Sequence, residues 1–149
     1  MVRQTAGVLW EGSIARGEGR LHGESGAIDG LDVDLPNRMG ERHDKTSPEE
    51  LIAAAHATCF TMALGSILAR ERTPPERLKC EAVCLLDETE GERRIVSIEL
   101  DVRGRVPGAD SDLFERAASQ AEQLCVVSKA LKGNVDISSR ATLEPRPAA

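Results

Sequence analysis

Between Glu50 and Arg70 the chain carries no formal charge: Leu51 to Ala69 reads LIAAAHATCFTMALGSILA. A segment this long is either a membrane span, for which about 20 apolar residues suffice, or a helix at the centre of a soluble fold. Six alanines, with His56, Thr58, Thr61, Gly65 and Ser66, make bilayer insertion marginal, so the buried soluble helix is the reading adopted. Its start is written in Ser47-Pro48-Glu49-Glu50. The serine caps, the proline suits the first turn, and a glutamate three residues after the serine completes a capping box. Pro74-Pro75 closes the helix, because proline lacks a donor and restricts the residue before it. One sheet covers only one side of a helix that is apolar all round. The expected solution is a homodimer in which two chains enclose a pair of such helices.

The rest of the chain fits around that helix. Gly7–Gly12, a segment beginning at Leu21, and Leu31–Leu35 are predicted strands before it. The last alternates cleanly, so Asp32 and Asp34 are expected on a solvated face rather than at a cation site. Lys79–Asp87 and Arg94–Val106 are predicted strands joined by a turn at Glu90-Gly91; Val96, Ile98, Leu100 and Val102 carry the two-residue period. Asp110 or Ser111 caps a second helix, with Leu113, Ala117, Ala121 and Leu124 on one stripe and Phe114, Ala118 and Cys125 beside it. Gly133 ends a short further turn, Val135–Leu143 is the last strand, and Pro145–Ala149 is expected to fray. Three strands, a helix, two strands, a helix and a strand describe an α+β domain, a single one over residues 1–149.

The only aromatic residues are Trp10, Phe60 and Phe114, so the core is expected to be aliphatic. With 19 basic against 25 acidic residues, a net charge of −6, and no basic block, a nucleic-acid surface is not expected. No apolar leader opens the sequence, which points to a cytoplasmic protein, where cysteines are reactive, ligating or buried more often than bridged. Cys59 falls in the central helix and Cys125 at the end of the second; each taken alone reads as a buried core residue. His56 lies three residues before Cys59, on the same face, so a Cys–His nucleophile pair is open beside the simpler reading of a core histidine. Cys80 and Cys84 share one face of a strand with Ala82 and Leu86, without zinc-knuckle spacing, and read as packing.

The run Thr46-Ser47-Pro48-Glu49-Glu50-Leu51 through His56-Ala57-Thr58-Cys59-Phe60-Thr61-Met62 resembles the signature helix of the osmotically inducible protein C (OsmC) and organic hydroperoxide resistance (Ohr) family. Trp10-Glu11-Gly12 is similar to the family's first strand and Pro36-Asn37-Arg38 to the loop before the helix. Val106-Pro107-Gly108 resembles the approach to the second helix, and Cys125-Val126-Val127-Ser128 the second cysteine motif. Chain length, the Trp-Glu-Gly start and the loop arginine resemble the osmotically inducible branch more than the organic hydroperoxide branch. Three positions depart from the pattern: Ser47 replaces the usual asparagine, Met39 a frequent aromatic, and Val126 the proline that often follows the second cysteine.

The resemblance implies a fold in which β-sheets wrap a long buried central helix, in an intertwined homodimer. It also implies a cysteine-based peroxidase of the oxidative stress response, reducing organic hydroperoxides with no metal or prosthetic group and no membrane partner. A dithiol, of lipoyl type, would return the electrons. Carried over, Cys59 is the peroxidatic thiolate, Cys125 the resolving cysteine, Arg38 the residue that activates Cys59, and Glu49 the carboxylate that holds Arg38. Physical chemistry agrees with these roles: alkyl burial raises a thiol pKa, and a nearby guanidinium reverses that and can bind a peroxide oxygen. Glu49 and Cys59 stand about 15 Å apart along a continuous helix at 1.5 Å per residue. Active sites at a dimer interface, with Arg38 and Glu49 supplied by the other chain, are therefore expected. Two other classes compete: a non-catalytic dimer binding an apolar ligand, and a Cys–His hydrolase using Cys59 and His56.

Overall fold

The computed structural model describes residues 1–145; most of the tail expected to fray, 146–149, lies outside the described residues. Two compact units are present, Met1–Leu51 and the chain from Ile52 onward. In the first, β1 (Ala6–Glu11) and β2 (Glu18–Gly23) form an antiparallel hairpin, and β3 (Asp32–Val33) pairs with β2. Val8 and Leu9 of β1 are both exposed.

The predicted strand Leu31–Leu35 is cut short. Only Asp32–Val33 pairs as a strand, and the chain then turns into α1 (Leu35–Arg38). Asp34 is the cause: extended itself, it accepts hydrogen bonds from the backbone N–H and the side-chain Nδ2 of Asn37, both at 2.8 Å, and Pro36 suits the first turn. Asp34 is therefore buried and capping, not solvated, with Lys45 Nζ 3.1 Å away. The Asn37 bonds, backbone first, hold its carboxyl at about 2, below the ordinary 3.8. Asp32 does face outward, paired with Arg20 at 3.0 Å.

Next comes α2 (Pro48–Arg70). Ser47 Oγ accepts from Glu50 N–H at 3.1 Å, as expected of a cap. The capping box is only half made, since the Glu50 carboxylate accepts from Thr46 Oγ1 instead. The helix is long and apolar enough to cross a bilayer. It instead supplies the centre of the second unit's core through Phe60, Leu64, Ile67 and Leu68. Its other side, with Thr58, Met62 and Ser66, is open in the single chain.

The second unit holds β4 (Arg77–Thr89), β5 (Glu92–Arg105), α3 (Ser111–Leu124), α4 (Val126–Leu131) and β6 (Asp136–Leu143). The hairpin β4–β5 turns on Glu90 and Gly91, at φ 55° and 80°, the two positive φ values of a type I′ turn. β6 runs parallel to β5, and α3 and α4 make the crossover that parallel neighbours require. Ile98, Leu100 and Val102 point inward from β5, as their period predicts.

Asp110 caps α3 by accepting from Leu113 N–H at 2.8 Å. Its buried face is Phe114, Ala117, Ala118 and Ala121, while Leu113 is half-buried and Leu124 exposed. The expected stripe is thus rotated toward Phe114. Gly104 explains the rotation, for a Cβ there would lie 2.5 Å from Phe114 Cζ, so the ring rests directly on β5. Both phenylalanines sit in an otherwise small-residue and aliphatic core.

Candidate active site

Cys125 separates α3 from α4. With ψ at 118° it leaves the helical conformation, ending one helix and beginning the next. Its side chain is fully buried, and its Sγ accepts from Ser128 N–H at 3.5 Å. Cys59, half-buried on α2, meets this junction: the backbone N–H groups of Val127 and Val126 and the Cys125 thiol act on its sulfur, each favouring the thiolate. Burial pushes the Cys59 thiol up. The bonds from Val127, Cys125 and Val126 outweigh burial and leave it below the ordinary thiol value. Two cysteines 66 positions apart in sequence are therefore brought together in one core cluster, with the acidified one exposed enough to react.

His56 does not pair with a thiol here. Fully buried, it sets Nε2 2.7 Å from Ser128 Oγ, while its Nδ1 is buried without a hydrogen-bond partner. Burial pushes the imidazole below its ordinary value, partly opposed by Glu122, so it is neutral at neutral pH. Glu122 accepts from Ser139 Oγ at 2.5 Å. Cys80 and Cys84 alternate inward along β4, half-buried, as packing residues do, and Cys80 contacts the core. Burial raises the Cys80 thiol, with the Thr61 hydroxyl opposing only in part, the reverse of Cys59.

In the first unit Arg38 and Glu49 form the pair expected of them. Arg38 Nε and Nη2 both donate to Glu49 Oε1, at 3.1 and 2.9 Å. The Glu49 side chain is nearly buried, while that of Arg38 is 44% exposed, leaving guanidinium surface free to meet a ligand. Asn37, which the sequence reading quoted but gave no role, fixes the loop behind Arg38. Its Oδ1 accepts from Asp44 and Lys45 N–H at 3.0 and 3.1 Å while its Nδ2 holds Asp34. The signal for it was Asp34-Leu35-Pro36, a cap followed by a first-turn proline. The Val126 and Val127 amides carry no sequence signal, since every residue but proline has one. Among the described residues no three His, Cys, Asp or Glu side chains converge to hold a metal ion.

A sheet packed against helices, with two cysteines in one core cluster at a helix junction, defines a dithiol α+β protein, and the family model for OsmC-like proteins matches residues 40–140. The chain belongs to the OsmC-like family. It is 36% identical over 128 residues to peroxiredoxin OsmC of Escherichia coli strain K12, covering 86% of this chain and 89% of that protein. Identity to an organic hydroperoxide resistance protein of Xanthomonas axonopodis pv. citri is 30% over 125 residues, covering 81% and 84%. The higher figure agrees with the branch read from Trp10-Glu11-Gly12. The crystal structure of organic hydroperoxide resistance protein OhrB of Bacillus subtilis superposes with a TM-score of 0.74 at 28% identity, covering 93% of this chain and 98% of that one.

Proposed function

We propose that the chain is a thiol-dependent peroxidase that reduces organic hydroperoxides to alcohols. The observation that carries this reading is the packing of Cys59 against the core cluster that holds Cys125, at a helix break whose groups lower the Cys59 thiol. The names of its relatives, a peroxiredoxin and organic hydroperoxide resistance proteins, support the same class. The Cys59 thiolate attacks the terminal oxygen of the hydroperoxide; the O–O bond breaks and the alkoxide leaves, with a proton, as the alcohol. Cys59 is then a sulfenic acid. Cys125 attacks that sulfur, the S–S bond forms, and the sulfenic oxygen departs as water with the Cys125 proton. An external dithiol, of the lipoyl kind, reduces the bond by exchange and regenerates both thiols. No prosthetic group enters this cycle.

Arg38 is assigned the peroxide oxygen and the thiolate charge, and Glu49 holds its guanidinium. These two are proposed to serve Cys59 of a second chain, in a cytoplasmic homodimer of single 1–149 domains with an active site at each end of the interface. The open, uncharged face of α2 supports such a partner, since an apolar helix face of this length is seldom left in water.

Steady-state turnover of cumene hydroperoxide with a dithiol tests the reading. Cys59→Ser is expected to abolish turnover, whereas Cys80→Ser and Cys84→Ser retain it; substantial turnover by Cys59→Ser refutes the mechanism. A dimer mixing an Arg38→Ala chain with a Cys59→Ser chain keeps one intact site if the site is shared, so activity returns toward half of wild type per dimer. No return places both residues on one chain.

A further inference from the structure

We propose that His56 and Ser128 act as a pair of positioning residues, tying the first turn of α4 to α2 so that its backbone N–H groups stay aimed at Cys59 and Cys125. The inference rests on the peroxidase reading for the reaction it serves, but not for the thiol chemistry it controls. His56 lies one helical turn before Cys59 on α2, and Ser128 three residues after Cys125 on α4. Their 2.7 Å bond, between side chains that are 0% and 5% exposed, joins positions 72 apart in sequence. It therefore links the helix that carries the nucleophile to the turn that carries the donors.

That turn aims three successive amides at sulfur. Ser128 N–H donates to Cys125 at 3.5 Å, and the Val126 and Val127 N–H groups lower the Cys59 thiol. Six residues of α4 are too few for a helix to hold its own orientation, so side-chain ties must set it. Val126 is 67% exposed and anchors nothing, while Val127 packs against the core without fixing rotation. The Ser128 hydroxyl supplies the directional tie. A histidine is a costly choice for it, because its Nδ1 is buried unpaired where leucine would leave no polar atom. That cost is understandable if direction is what the position requires.

The test is the rate of Cys59 alkylation by iodoacetamide against pH, in fully reduced protein, read by mass mapping of the Cys59 peptide. In His56→Leu and in Ser128→Ala the midpoint moves to higher pH, and alkylation at a fixed pH below it falls about tenfold. His56→Gln, whose amide can reach Ser128 Oγ, restores the profile toward wild type. The double variant falls no further than either single, because both remove one bond. Should His56→Leu fail to fold, Ser128→Ala and His56→Gln carry the same comparison. An unchanged profile in folded Ser128→Ala, additive losses in the double variant, or a His56→Gln profile displaced as far as that of His56→Leu would overturn the inference. Alkylation needs no peroxide. A wild type that reduces no hydroperoxide yet shows these displacements defeats the peroxidase reading alone, whereas turnover with undisplaced profiles defeats this inference alone.

Discussion

Val126→Pro deletes a single donor to the Cys59 sulfur and almost nothing else. Val126 is the first residue of α4, where a backbone N–H has no partner within its own helix and where proline is favoured. Cys125, at φ −58° and ψ 118°, already has the extended conformation that a residue before proline needs. The side chain is two-thirds exposed, so little packing is lost. What goes is the Val126 N–H as a group that favours the Cys59 thiolate. A hydrogen bond to a charged group contributes about 1.5–3 kcal/mol. Since about 1.4 kcal/mol is a factor of ten, Cys59 alkylation at neutral pH should slow about tenfold. Stability should not fall with it, for a compatible proline stabilises by about 0.4–1 kcal/mol through the unfolded chain. Alkylation against pH and urea unfolding of the same preparation read the two effects separately. An unchanged alkylation profile in a protein at least as stable as wild type would show that the Val126 amide does not act on the thiolate.

Asp34→Asn removes a capping carboxylate whose folded-state pKa is held at about 2, below the ordinary 3.8. A carboxyl lowered in this way adds stability that is fully present above 3.8 and lost as pH falls through about 2. The variant should therefore unfold at lower denaturant at neutral pH, and its stability should depend less on pH below 4 than that of wild type, as acid titration of the unfolding midpoint will show. Gly104→Ala drives a Cβ to 2.5 Å from Phe114 Cζ on a buried strand; overpacking of this kind costs about 1–3 kcal/mol, measurable by thermal melting.

The sequence reading located what depends on neighbours in the chain. Ser47 caps α2, the Glu90-Gly91 turn closes β4–β5, and Ile98, Leu100 and Val102 face inward, because each follows from a short-range preference or a period. Where two local signals overlap, short-range periodicity does not decide between them. Leu31–Leu35 alternates like a strand, but Asp34-Leu35-Pro36-Asn37 also reads as a helix start, and the two hydrogen bonds of Asn37 to Asp34 decide for the helix. The stripe on α3 was misjudged for another reason. Its rotation depends on a missing Cβ at Gly104, seven positions before the helix begins, and no pattern within α3 encodes that. The motifs single out Cys59, Cys125, Arg38 and Glu49, and the Arg38–Glu49 pair they imply is present. The partner of His56 was not legible, because a histidine at that spacing from a cysteine looks the same whether it faces a thiol or a hydroxyl on a distant helix.

A thiol that must be both acidic and surrounded by alkyl groups presents a physical conflict, and the helix break at Cys125 resolves it. An uninterrupted helix through 125 would satisfy the amides of Val126, Val127 and Ser128 internally and leave none for sulfur. By leaving the helical conformation for one residue, the chain frees three consecutive donors at a point where its own thiol is also present. Acidification of Cys59 and supply of a second sulfur thus come from one backbone feature, and neither can move without the other. The arrangement also accounts for the different states of the two half-buried thiols at Cys59 and Cys80. Both lose solvation, but at Cys80 the hydroxyl of Thr61 opposes burial only in part, and the Asp101 and Glu81 carboxylates push its thiol further up. Cys80 is the more deeply buried of the two and stays above the ordinary thiol value, whereas the groups at the helix break bring Cys59 below it.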